Sequence, residues 1–144
     1  MERLNKMMAY IDEHLCDELD FAYLERIACC SEYQFRRMFS FLAGMSLSEY
    51  IRKRKLSYAA TLLQNTNDKI IDIALKLGYE SPDSFGKAFQ SFHNMTPSQA
   101  RKSAVSLKSF PPLTFQILLK GGSEMDYRIV VLYHGVWRKN TTDL

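Results

Sequence analysis

The chain has 144 residues, enough for one ordinary domain with little to spare, and its 47% apolar and 24% charged content is that of a globular protein. No run approaches the roughly eighteen apolar residues of a membrane helix, and acidic and amide residues stand where a secretory signal would be apolar, so a cytoplasmic location is expected. The net charge of +3 is unevenly spread, because residues 1–25 carry 2 basic and 7 acidic side chains whereas residues 26–104 carry 12 basic and 6 acidic, so one side of the molecule should be positive and suited to nucleic acid.

In chain order, Leu4, Met8, Ile11 and Leu15 are spaced 4, 3, 4 and predict an amphipathic helix over residues 2–15. Asp20 is placed to cap a second helix over 21–28, Cys29 and Cys30 make the turn, and Ser31 starts a third helix that ends near Gly44. Ser46 or Ser48 then opens a long connector to about Gln64, broken by Asn65-Thr66-Asn67-Asp68. A fifth helix is predicted over 69–77, a sixth over 82–93 behind the Ser81-Pro82 cap, and a short seventh after Thr96-Pro97. Beyond the linker at 104–112, with its paired prolines, residues 113–119 and 127–133 read as strands around Gly121-Gly122.

The most informative feature is an internal repeat. Leu24, Ala28, Ser31, Phe35, Arg37, Phe39 and Leu42 recur 50 residues later as Ala74, Gly78, Ser81, Phe85, Lys87, Phe89 and Phe92. The match runs on as Gly44-Met45-Ser46-Leu47-Ser48 faces Asn94-Met95-Thr96-Pro97-Ser98, which marks one structural unit used twice. A small residue at Ala28 or Gly78 lets one helix end and the chain turn, the serine caps the next, and the phenylalanines at i and i+4 face inward. This is the pattern of a helix-turn-helix whose second helix keeps an outer face free for a DNA major groove.

With those residues, Ala74-x3-Gly78-Tyr79-x-Ser81-x3-Phe85-x-Lys87-x-Phe89 and Thr96-Pro97 resemble the second half of the AraC-type DNA-binding domain, and Cys30-Ser31-x3-Phe35-x-Arg37-Met38-Phe39 with Gly44 and Tyr50-Ile51-Arg52 resembles the first. The resemblance covers residues 2–102. It implies an all-α fold of about seven helices, two helix-turn-helix subdomains joined by a connector helix within residues 1–103, and sequence-specific binding of double-stranded DNA in transcription regulation. RNA polymerase is then a further candidate partner.

Phe35, Met38, Phe39 and Leu42 should point inward on the first recognition helix, leaving Tyr33, Gln34, Arg36 and Arg37 as candidate base contacts. The family's base-reading positions fall on Tyr33, Arg36 and Arg37, and arginine there suits guanine O6 and N7. On the second helix Ser84 and Lys87 are the candidates, while Gly86 replaces the arginine and makes this helix the weaker reader. Arg52, Lys53, Arg54 and Lys55 are candidate phosphate clamps, and the caps at Ser31 and Ser81 would offer helix N-termini to phosphates.

Catalysis and cofactors find no support. His14, Cys16, Cys29 and Cys30 lack the zinc-type Cys-x2-Cys spacing, the three histidines lack nucleophile partners, and the Pro-Cys-His-Arg motif of methyl-accepting repair proteins with an AraC-type module is missing. Three cysteines, two of them adjacent, fit a reducing compartment. The tail from Phe110-Pro111-Pro112 to Ile129 resembles the start of a Rob-like (GyrI-like) effector-binding domain, so residues 113–144 are expected to be an incomplete β-rich stub, dispensable for DNA binding and without a small-molecule effector. The competing expectation is a protein-interaction module that self-associates through the open strand edges of this tail without reading DNA.

Overall fold

Side-chain caps decide where the helices begin in the computed structural model, which describes residues 2–103, 107, 109–120 and 126–134. Helix α1 (Glu2–Glu13) is followed by α2 (Phe21–Ala28), whose cap Asp20 accepts from the Tyr23 amide, and by α3 (Glu32–Ala43), capped by Ser31. The connector α4 (Leu47–Asn65) starts at Ser46, which accepts from the Glu49 amide, and α5 (Ile70–Lys76), α6 (Pro82–His93) and α7 (Pro97–Lys102) follow. Strands β1 (Leu113–Lys120) and β2 (Asp126–Tyr133) close the described chain as an antiparallel hairpin in the register Leu113 with Tyr133 to Lys120 with Asp126. The seven helices, the connector and the β-rich tail are those expected; Gly121-Gly122 lies outside the described residues.

One detail of the helical part differs from expectation. Helix α1 stops at Glu13 because the chain tightens there, the His14 amide donating to both Tyr10 and Ile11 carbonyls, yet Leu15 stays buried and so extends the apolar stripe past the helix. In the first unit the helix ends at Ala28 and the expected Cys29-Cys30 turn begins with Cys29 in the left-handed region. Cys29 holds φ at 54°, whereas the second unit turns at Gly78 with φ 83°, so only the second uses the residue type for which the left-handed region is without cost.

The core forms two clusters strung on α4. Leu47 and Tyr50 pack with Leu4, Met8, Leu24, Phe35 and Phe39, while Leu56, Ala59 and Leu63 pack with Ile73, Ala74, Phe85 and Phe89. Phe92 touches both clusters. The connector is therefore apolar around most of its circumference, each half serving one repeat unit.

The short β-rich tail packs against the helical part. Phe110, Leu113 and Phe115 are completely buried in the first cluster, with Val131 and Tyr133 beside them. The Asn5 amide pairs with the β1 edge as a strand would, its Nδ2 donating to the Phe115 carbonyl at 2.9 Å and its Oδ1 accepting from the Phe115 amide at 2.8 Å. The Leu113 amide donates to the Tyr50 hydroxyl, and the Phe110 amide to Ser57 Oγ. Two strands cannot cover their own apolar face, and α1, α3 and α4 supply the matching surface, so the hairpin completes the first core.

Candidate nucleic-acid interface

Helix α3 is fastened at its start by a capping box in which Ser31 Oγ accepts from the Gln34 amide at 3.2 Å and Gln34 Oε1 accepts from the Ser31 amide at 3.0 Å. Glu25 Oε1 takes the Glu32 amide at 2.8 Å. These amides have partners within the protein, and the Glu25 carboxylate lies at the helix start where a phosphate contact of Ser31 was expected.

With Phe35 and Phe39 pointing inward, Tyr33 and Arg37 share the outer face, Tyr33 being 67% exposed and the Arg37 guanidinium lying 5.7 Å from its ring centroid. Gln34 is also exposed, although its carbonyl oxygen serves the cap. Arg36 behaves differently: its Nε donates to Glu32 Oε1 at 3.0 Å, its Nη1 to Ser48 Oγ at 3.1 Å, and its guanidinium lies 5.0 Å from the Phe21 ring centroid. It lies along the surface and ties α3 to the starts of α2 and α4. Met38, expected inside, is 40% exposed, because Phe35, Phe39 and Ala43 form the inward stripe and leave position 38 on its flank.

On α6, Ser81 Oγ accepts from the Ser84 amide at 3.1 Å, and the Ser84 hydroxyl turns back to donate to the Ser81 carbonyl at 2.9 Å. Lys87 is exposed at the counterpart of Arg37, and Asp83 is exposed at that of Tyr33. A Cβ built on Gly86 meets nothing within 4 Å. Internal packing does not demand this glycine, which costs the helix roughly 1 kcal/mol relative to alanine.

Consecutive helical residues stand about 100° apart, so the run at 52–55 wraps around α4 rather than forming one basic face. Arg52 and Lys55 line a recess of about 240 Å³ with Ser48, Ile51, Gly78 and Tyr79, between the connector and the second unit. Burial pushes the Tyr79 phenol above its ordinary pKa, against the opposing field of Arg52. Lys53 and Arg54 turn the other way, toward the tail. Lys53 Nζ pairs with Glu49 at 3.5 Å and sits 5.3 Å from the Phe110 ring centroid, and Arg54 binds Asp12 Oδ1 at 2.8 Å and the Phe110 carbonyl at 2.6 Å. The expected clamp of four is thus divided, with Arg54 largely buried in a structural contact.

The two units and their connector coincide with a family model described as a helix-turn-helix domain, which matches residues 24–103. The activator AarP of Providencia stuartii is 34% identical over 100 residues, spanning 69% of this chain and 74% of AarP. The regulatory protein SoxS of Escherichia coli K12 is 35% identical over 98 residues, 68% of this chain and 92% of SoxS. The chain belongs to the AraC-type helix-turn-helix regulators. The crystal structure of an AraC-type regulator from Chromobacterium violaceum agrees in fold, with a TM-score of 0.63 at 25% identity over 70% of this chain and 90% of that one. DNA binding and transcription regulation are accordingly the function of this AraC-type chain, and no described helix is long and apolar enough to cross a membrane.

Several residues that hold the fold around these helices carried no signal in the sequence. Asn5, Asp12 and Glu25 act through partners 110, 42 and 7 positions away. Only the Glu25 contact, between α2 and the N-terminus of α3, was open to inference from a helix-turn-helix reading. Cys30 sits in the same turn, where burial first, then Cys29 and Glu25, raise its thiol pKa and disfavour a thiolate.

Proposed function

We propose that α3 and α6 enter two successive major grooves on one face of a duplex, with α3 as the principal reader. The observation that carries this is the pairing of Tyr33 and Arg37 on the outer face of α3, where neither makes an ion pair among the described residues. Arg37 supplies the bidentate donor for guanine, and the Tyr33 ring braces it while offering its own edge to a neighbouring base. Gln34 assists through the amide nitrogen that the cap does not use.

Arg36 acts on this reading by setting the pitch of α3 against the connector through Ser48. On α6 the turned-back Ser84 hydroxyl leaves Lys87 as the leading polar contact, and the Ser81 cap lies at the groove edge. Arg52 and Lys55, in the recess between the units, take the phosphates that separate the two grooves.

The test starts with selection of a binding site from random duplexes, followed by hydroxyl-radical footprinting. Two protected segments about one helical turn, on the order of 10 bp, apart are expected. A single short segment would show that one unit alone engages and would overturn the two-groove reading.

A further inference from the structure

The two repeat units can be compared position by position, and one difference between them has no internal explanation. In the first unit Arg36 fills the space bordered by Glu32, Ser48 and Phe21. Fifty residues later the same four positions are Gly86, Pro82, Ser98 and Ile71. Nothing spans them. Pro82 and Ser98 are exposed, Ile71 is 46% exposed although apolar, and the space above Gly86 is open. The second unit therefore presents an uncharged notch with a bare helix backbone at its floor, where the first presents a guanidinium.

Resting on the two-groove reading above, we propose that this notch is a thymine seat: Gly86 lets the major-groove edge of an A·T pair reach van der Waals contact with α6, and the thymine methyl fills the space that Arg36 occupies in the first unit. Thymine is the base whose major-groove signature includes an apolar group, and an uncharged site walled by Pro82 and Ile71, with Ser98 at its rim, selects it by excluding water from that methyl. The helix penalty of Gly86 is then a requirement imposed by the DNA, since no neighbouring side chain among the described residues imposes it. A side chain at position 86 holds the base away.

The test uses the full chain and its selected duplex, with each thymine of the α6 half replaced in turn by uracil, which removes only the methyl group. One replacement should weaken wild-type binding by about fourfold, the worth of one buried methyl. Gly86→Ala should raise the melting temperature by about 3–6 °C and yet bind the thymine duplex at least about fivefold more weakly, with the thymine preference gone. If no uracil replacement changes wild-type affinity, or if Gly86→Ala binds as well as wild type, the seat does not exist. A wild-type chain that shows no preference for its selected duplex over a scrambled one overturns the underlying reading instead, and that titration precedes any variant.

Discussion

Asp12 on α1 and Arg54 on α4 meet at 2.8 Å, and the same carboxylate accepts the Tyr50 hydroxyl at 3.0 Å. Through Arg54 and Tyr50 this cluster reaches the Phe110 carbonyl and the Leu113 amide, so one ion pair joins the N-terminal helix, the connector and the tail. Most of both side chains is shielded from water, and an unpaired partner there is expensive. Arg54→Ala should therefore lower stability by about 2–3 kcal/mol in urea unfolding, while Arg52→Ala stays within about 0.5 kcal/mol. An Arg54→Ala protein of unchanged stability but weakened DNA affinity would return Arg54 to the phosphate contacts.

Phe110 fills the first core from the segment that looks like a linker, against Tyr50 and Tyr133 at ring distances of 5.9 and 5.8 Å. Phe110→Ala should cost about 3–5 kcal/mol. Ending the chain after Ser103 should do more, since it removes Leu113 and Phe115 as well and leaves Phe39 and Tyr50 facing water. Circular dichroism on heating would show a lowered or lost transition. A truncated chain that melts like the full one would make the hairpin an ornament.

Arg37 and Arg36 are neighbours with separable roles. Arg37→Ala should reduce affinity for the selected duplex by roughly 1–3 kcal/mol, relax preference at one base pair and leave the urea midpoint in place. Arg36→Ala should lower stability by about 0.5–1 kcal/mol through loss of its half-exposed contacts to Glu32 and Ser48. Equal losses on specific and random DNA for Arg37→Ala would show that it touches phosphate alone.

Tyr50 gives a dependence on alkali. Burial first, then the Asp12 carboxylate, push its phenol well above the ordinary value. A phenol whose folded pKa exceeds its unfolded value of roughly 10 leaves stability intact below that pH and removes it as pH climbs toward the folded value. Stability should accordingly fall between pH 10 and 12, and Tyr50→Phe should flatten that fall without abolishing it, because burial also raises Tyr79 and Tyr133. At neutral pH the same substitution should cost about 1–2 kcal/mol, having removed the partner of the Leu113 amide. Identical alkaline profiles for the two proteins would remove Tyr50 from this account.

What the sequence by itself determined lies in contacts between residues a few positions apart. Helix starts follow from hydroxyls three residues before the amides they accept, as at Ser31, Ser46, Ser81 and Thr96, and the inward phenylalanines follow from i, i+4 spacing. The repeat then made the double helix-turn-helix legible, because a unit found twice in register cannot be an accident of composition. Tertiary structure decided which of the polar residues are engaged by protein partners. Arg52 to Lys55 are alike in sequence, yet the helical turn of about 100° per residue sends Arg52 and Lys55 to the recess and Lys53 and Arg54 to the tail. Likewise Arg36 and Arg37 are adjacent, and Ser48 and Phe21 from other helices, together with Glu32 one turn back, lay one of them flat. Charge says what a side chain is able to bind; the partner that reaches it first is set by residues distant in the chain.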